Sequence, residues 1–298
     1  MNLEYIETFL VVARTGSFRA AAKQLNISQP SVSQHIKKLE SAFGSELFIR
    51  SNAGNQLTSA AQKLLPYAES LIRVFDHAQA VVLGEKLWLG ASSNIGIYIL
   101  PPYIKSFINQ FPSPPKFDLT IDTNPAIAQK LEMAEIDCAV MEWWDHRDGF
   151  TAWTWRHEAL VLIVPPDHPW QKLSVISKPA LQHIEMLGGE RGTGTGRLLK
   201  QHFGEQIQSM KILMTLGSTE AVKQAVQAGL GISIVLAESV KQEVADGSIH
   251  AIPIDLGGIP LQKELFVICR QNLSPESWAI KFINMLLHNG TLNIVPDA

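Results

Sequence analysis

The chain has 298 residues, 46% hydrophobic and 18% charged, with a formal net charge of −3. At roughly 100–200 residues per domain this length suits about two domains, and the composition excludes long disorder. Two cysteines, Cys138 and Cys269, are too few for a disulfide framework and lack metal-ligand spacing, so both read as reduced core residues.

The N-terminus has no basic region and no apolar run reaches about 18 residues, which argues against a signal peptide and a membrane span. A cytoplasmic protein with no membrane partner is expected. Charge is unevenly placed. Between Arg14 and Lys63 seven Lys/Arg stand against two acids, a net of +5, whereas after Lys86 there are 16 basic and 21 acidic residues, a net of −5. A basic head on an acidic body points any nucleic-acid function to the head.

Leu3, Ile6, Phe9, Leu10 and Ala13 fall at helical spacing and predict an amphipathic helix ended by Gly16. Ser17 is placed to cap a second helix whose inner face holds Phe18, Ala21, Ala22 and Leu25. After the turn Asn26-Ile27-Ser28, Ser28 is placed to cap a third, with Pro30 in the first turn, where a missing N–H costs nothing. That third helix is expected to bury Val32, Ile36, Leu39 and Phe43. Two short helices on a tight turn, the second more polar, form the helix-turn-helix pattern.

The outward face of the third helix holds Gln29, Ser31, Ser33, Gln34, Lys37 and Lys38. Gln pairs bidentately with adenine and Ser donates or accepts, so the first four are candidates for reading bases. Lys37 and Lys38 suit phosphates. Ser17, Arg19, Ser28 and Pro30, at the two helix starts, complete the candidate DNA-binding set. An ordinary solvated face is the plainer reading of the same residues. Leu47–Arg50 then reads as a short strand, Ser51–Asn55 as a turn and Gln56-Leu57 as its return, which is a wing. Arg50 could reach the minor groove or a phosphate from there, or simply pack on Glu46.

The run from Phe9 to Leu65 resembles the LysR-type transcriptional regulators. The residues that carry the likeness are Gly16-Ser17-Phe18, Ala21-Ala22, Leu25, Ser28-Gln29-Pro30, Val32-Ser33, Ile36, Leu39-Glu40, Gly44, Leu47-Phe48 and Arg50. Ala61 stands where the family usually has glycine, and the wing carries fewer basic residues than is usual.

Thr58 is placed to cap a long helix to about Leu83. Ala61, Ala68, Phe75 and Val82 recur every seven residues, and Leu64, Leu71 and Ala78 do so with an offset of three. This a/d seam, widened by Leu65 and Ile72, argues for self-association, against the alternative of a helix packed on its own domain. A symmetric dimer would present two recognition helices to a pseudo-palindromic duplex. The resemblance implies the same, with dimers pairing into a homotetramer and RNA polymerase as a candidate partner.

From Leu87 onward short apolar strands alternate with helical stretches. The strands are Lys86–Ala91, Phe117–Ile121, Ile136–Met141, Leu160–Pro165, Ile184–Leu187, Lys211–Met214, Ile232–Leu236 and Leu265–Cys269; Ile95–Phe111 and Ala126–Met133 read as helical. That alternation predicts α/β lobes with largely parallel sheets. It resembles the family's effector domain, a two-lobed, periplasmic-binding-protein-like fold. The expected class is therefore α + α/β: a winged helix-turn-helix at 1–58, a linker helix at 59–86 and an effector domain at 87–298. Lobe one is expected at 87–160 plus 267–298, and lobe two at 161–266.

Ligands of open α/β sheets bind outside the carboxyl ends of strands. Four loops lie there: Ser92-Ser93-Asn94, Thr123-Asn124-Pro125, Arg191–Gly196 with Thr193 and Thr195, and Gly217-Ser218-Thr219. Helix N-termini with Ser/Thr hydroxyls attract anions, and Arg191 would add a bidentate partner. A small-molecule effector, anionic in class, is the expectation, although each Ser/Thr could merely cap its own helix. Glu142, also a candidate effector-binding residue, argues partly against a purely anionic ligand, since it could repel one or instead bind a donor group. Trp143, Trp144, Trp153 and Trp155 could stack on an aromatic effector or serve as packing.

Catalytic patterns are missing. Gly192-x-Gly194 lacks its third glycine, Arg197 standing in that place, and there is no GxxxxGK, HExxH, CxxC or GxSxG. No catalytic residue, metal or cofactor is expected. The reading is a one-component transcriptional regulator; the alternatives are a solute-binding protein and an enzyme with a DNA-binding appendage.

Overall fold

The computed structural model describes residues 2–51, 54–182, 184–189, 194–204 and 211–289. The chain divides into two compact units, Met1–Leu83 and Gly84–Ala298.

The first unit opens with α1 (Leu3–Thr15), α2 (Phe18–Leu25) and α3 (Gln29–Phe43), each started by a side-chain cap. Asn2 accepts from the Glu4 N–H, Ser17 from that of Ala20 and Ser28 from that of Ser31. Gly16, at φ 66, ends α1 in the left-handed region that a Cβ disfavours. Ile6, Phe9, Val12, Ala21, Val32, Ile36 and Leu39 close into one apolar cluster. Phe43 departs from the expectation. It is 45% exposed, because the last turn of α3 extends beyond that cluster, and helical spacing alone does not say where the opposing surface ends.

Strands β1 (Phe48–Ser51) and β2 (Gly54–Leu57) pair antiparallel as a hairpin. Thr58 then caps α4 (Ser59–Val82). Ala61 and Ala68 are buried in the N-terminal core, with Leu64, Leu65 and Ile72 against it. Farther along, Leu71, Val74, Phe75, Val81 and Val82 are exposed. The first half of the heptad seam thus packs on its own domain, and the second half presents apolar surface.

The second unit comprises β3 (Lys86–Ser92), α5 (Leu100–Ile108), β4 (Lys116–Asp122), α6 (Asn124–Glu132), β5 (Cys138–Met141), β6 (Phe150–Val164) and β7 (Ile176–Ser177). It continues with β8 (Glu185–Gly188), α7 (Gly194–Phe203), β9 (Lys211–Thr215), α8 (Thr219–Gln227), β10 (Ser233–Leu236), α9 (Lys241–Asp246), β11 (His250–Asp255), β12 (Gln262–Arg270) and α10 (Trp278–Asn289). An eight-stranded sheet runs β4-β3-β5-β12-β6-β11-β7, with β10 also on β6, and β8 pairs β9 separately.

The expectation of largely parallel sheets needs correcting. β3–β4, β3–β5, β8–β9 and β7–β11 are parallel, but β12 runs antiparallel to β5 and β6, and β6 antiparallel to β10 and β11. The cause is β6. It spans 15 residues, not the six from Leu160, and with β12 it is shared by both lobes. Arg156-His157-Glu158 interrupts its apolar pattern and hides its first ten residues from a hydrophobicity reading.

The helical stretch from Ile95 is also divided. Residues Ile95–Ile99 form a wide π turn before α5, whose first turn carries Pro101 and Pro102, which have no N–H to donate to an α-helical ladder. Cys138 and Cys269 prove to be directly opposed across β5 and β12, both buried and free. Burial pushes the Cys269 thiol up to about 11 and raises that of Cys138 too, so both stay protonated.

Candidate nucleic-acid interface and ligand cleft

The inner face of α3 holds Val32, Ile36 and Leu39, so the opposite face must meet solvent. Gln29, Gln34, Lys37 and Lys38 are exposed there, and Ser31 and Ser33 are half-buried. Gln29, Ser33 and Lys37 line a groove shared with Phe18, Phe48 and Asn55, between the recognition helix and the hairpin. The hairpin is held in place by Asn55, whose backbone N–H donates to the Gly16 carbonyl at 3.3 Å, and by Glu40, which accepts from the Leu47 N–H at 2.8 Å. Ser17 and Ser28 act as caps, and the Ser28 and Ser31 hydroxyls lie 2.8 Å apart. Lys38 leans on α1, donating to the Tyr5 hydroxyl at 3.1 Å. Arg19 is exposed, as is Pro30. The side chain of Arg50 lies outside the described residues.

In the second unit the loops singled out from sequence converge on one buried network. Glu142, just after β5, is 4% exposed, and Lys263 on β12 is 2% exposed. The Lys263 ammonium donates to Glu142 Oε2 at 2.7 Å and to the Thr195 hydroxyl at 2.9 Å. The same Oε2 accepts from the Gly194 N–H, at the start of α7, at 2.9 Å, while Oε1 accepts from Asn94 at 3.2 Å. Asn94 in turn accepts from the Thr219 hydroxyl at 2.7 Å. Burial alone would raise the Glu142 pKa. The adjacent ammonium and the donated N–H groups overcome this and hold it below the ordinary carboxylate value.

The remaining candidates have simpler partners. Asn124 accepts from the Glu142 N–H and donates to the Trp143 carbonyl. Ser93 donates to the Asp122 carbonyl, and Ser218 caps α8. Thr123 precedes α6 without a side-chain capping bond. Ser92 is buried, and among the described residues its hydroxyl has no hydrogen-bond partner. Arg191 and Thr193 lie outside the described residues. The four tryptophans do not form one platform. Trp153 and Trp155 belong to the main core and Trp144 to a smaller cluster, while the Trp143 ring lies 4.5 Å from the Arg197 guanidinium.

Two family models match. "Bacterial regulatory helix-turn-helix protein, lysR family" covers residues 3–62, and "LysR substrate binding domain" covers 82–290. The chain belongs to the LysR family. It is 30% identical over 299 residues to the transcriptional activator CmpR of Synechocystis, covering 98% of this chain and 97% of CmpR. Full-length CbnR, solved with its target DNA, matches with a TM-score of 0.59 at 21% identity, over 98% of this chain and all of CbnR. The regulatory domain of Synechocystis CcmR in complex with 2-PG matches with a TM-score of 0.62 at 22% identity, over 70% of this chain and 98% of that domain.

This chain is therefore a LysR-type transcriptional regulator with a winged helix-turn-helix and a two-lobed effector-binding domain, and its relatives are named as regulators. Among the described residues no helix is long and apolar enough to cross a membrane, and no cluster of His, Cys, Asp or Glu could hold a metal ion. Two residues of the regulator's cleft escaped the sequence reading. Lys263 is the second residue of the strand Gln262–Arg270, between Gln262 and Glu264, and nothing in that polar start of the strand marks it as buried. Arg197, beside the Trp143 ring, is marked in the sequence only as the residue that breaks a glycine motif.

Proposed function

We propose that this regulator reads a pseudo-palindromic operator through α3, with Gln29, Ser31, Ser33 and Gln34 at base edges. Lys37, Lys38, Arg19 and Arg50 contact phosphates or the minor groove, and the capped starts at Ser17 and Ser28-Pro30 approach the backbone. The observation that carries the reading is the exposed polar face of α3, opposite a closed apolar face and beside an anchored hairpin. The exposed apolar half of α4 supports a homodimer, and paired dimers give a homotetramer. The protein works in the cytoplasm, with RNA polymerase as a partner at the promoter. Its domains divide at 1–58, 59–86 and 87–298, with lobe one at 87–160 plus 267–298 and lobe two at 161–266.

The effector is a small anion bound between the lobes. Lys263, the N–H at the start of α7 and the hydroxyls of Thr195, Thr219 and Ser92 support that class. A domain of the same fold that holds the small molecule 2-PG supports a ligand at this scale. The test is binding of the full-length protein to its own upstream DNA across a salt series, with and without candidate carboxylates. Sequence-selective, salt-sensitive binding that one compound alters is the expected result. No selective binding under any condition overturns the DNA reading, and selective binding that no compound changes overturns the effector reading.

A further inference from the structure

The Glu142 carboxylate has the surroundings of a bound ligand. It is buried, and its two oxygens accept from a lysine ammonium at 2.7 Å, a helix N-terminal N–H at 2.9 Å and an asparagine amide at 3.2 Å. An arriving organic carboxylate would want the same set of donors. The packing around it is equally specific. A Cβ built on Gly194 would lie 3.0 Å from Glu142 Oε2 and 3.2 Å from its Cβ, so glycine lets α7 press onto this carboxylate. The contact also ties parts of the unit far apart in sequence: Glu142 follows β5, Gly194 and Thr195 open α7, and Asn94 follows β3 and holds Thr219 of α8.

We infer that Glu142 is a built-in stand-in for the effector anion: its carboxylate fills the anion seat formed by Lys263, the Gly194 N–H and Asn94, and an anionic effector binds by displacing it. The inference rests on the effector reading above and adds how that site is regulated. One buried ammonium is already balanced by one buried carboxylate, so a second anion entering without displacement would be uncompensated. Displacement breaks the Glu142–Gly194 hydrogen bond, so occupancy of the seat is coupled to how α7 sits on β5. Small inorganic anions are thereby kept from triggering the regulator, because each must compete with a tethered carboxylate whose effective concentration at the seat is high.

The test uses the full-length protein without DNA and inorganic phosphate as the probe, with chloride balancing ionic strength. Equilibrium dialysis measures phosphate binding to wild type, Glu142→Gln and the double variant Glu142→Gln/Lys263→Met. Glu142→Gln, which empties the seat of charge but keeps its shape, is expected to bind one phosphate about tenfold or more tighter than wild type. The double variant is expected to lose that gain. If Glu142→Gln does not fold in phosphate-free buffer, phosphate is expected to restore a cooperative thermal transition whose midpoint climbs with phosphate concentration, while chloride does not. Equal phosphate binding by wild type and Glu142→Gln, a gain that survives in the double variant, or an unfolded Glu142→Gln that phosphate fails to rescue would each overturn the inference. The readout involves no effector screen, so the inference can fail while a compound still alters DNA binding, and the effector reading can fail while the seat still takes phosphate.

Discussion

On α3, Gln29, Gln34 and Lys37 are exposed and stand in water, whereas in the cleft Asn94, Glu142 and Lys263 are buried and bonded to one another. Both regions combine amide, hydroxyl and ammonium groups near helix N-termini. They differ in what a partner must replace. DNA displaces solvent from α3, so contact is governed by complementarity and salt. A ligand in the cleft must exchange for an internal partner, so its arrival changes the protein. An open surface suits continuous reading and a self-satisfied one suits switching.

The largest expected effect breaks the buried pair. Lys263→Met leaves the Glu142 charge uncompensated and should cost about 3–5 kcal/mol of stability, seen as a lower midpoint in denaturant melts. Adding Glu142→Gln should restore part of the loss. Acid should reproduce the effect in the wild type. The folded pKa of Glu142 lies below its unfolded value of 4.5, so its contribution is complete above 4.5 and is lost as pH falls through the folded value. A melt series from pH 6 downward should therefore steepen below about 4.5 in the wild type and flatten in the double variant. Equal acid sensitivity of the two would remove Glu142 from this account.

On the open surface the effects are smaller and take the form of lost selectivity. Gln34→Ala should cost about 1–3 kcal/mol of operator binding and relax preference at one base pair, leaving non-specific binding unchanged. A uniform loss on all sequences would assign Gln34 to the backbone. Ser28→Ala removes the hydroxyl that accepts the Ser31 N–H at 3.2 Å and should lower the stability of the N-terminal unit by about 0.5–2 kcal/mol in a thermal melt. An unchanged melting midpoint would mean that water caps α3 equally well.

The contrast between the two regions also decided what could be read from sequence. The head was legible because its signals are local: Ser17 and Ser28 cap within three residues, and Val32, Ile36 and Leu39 repeat along one helix. This local legibility fails at Phe43, where the partner surface ends, and at the wing, whose strands take in Ser51, Gly54 and Asn55 from the expected turn. The cleft is built from Asn94, Glu142, Thr195, Thr219 and Lys263, which are distant in sequence and adjacent only through sheet order. Loop chemistry points to three of these five, Asn94, Thr195 and Thr219, and the end of the strand at Met141 points to Glu142. Lys263 escapes both because the apolar run that marks this strand begins only at Leu265, and the role of Glu142 stays open between repelling an anion and binding a donor because its counter-ion is not visible in the sequence. β6 was truncated for a similar reason: its charged segment is stabilised by cross-strand partners on β12, not by local periodicity.

The smallest effect separates two adjacent lysines. Lys37 is exposed at the groove beside the hairpin, whereas Lys38 donates to the Tyr5 hydroxyl and lies 5.4 Å from the centre of the Tyr5 ring. A side chain engaged with α1 gives up part of that contact to reach a phosphate, and an exposed one gives up only water. Lys37→Ala should therefore weaken binding uniformly across sequences and reduce the slope of log K against log salt by about 1, the signature of one lost phosphate contact. Lys38→Ala should change the slope less and the stability of the N-terminal unit more. Titrations of both variants on operator and unrelated DNA, over a salt range, check the pair. The reverse ranking would mean that Lys38 leaves Tyr5 on binding and that the α1 contact serves only to hold it ready in the free protein.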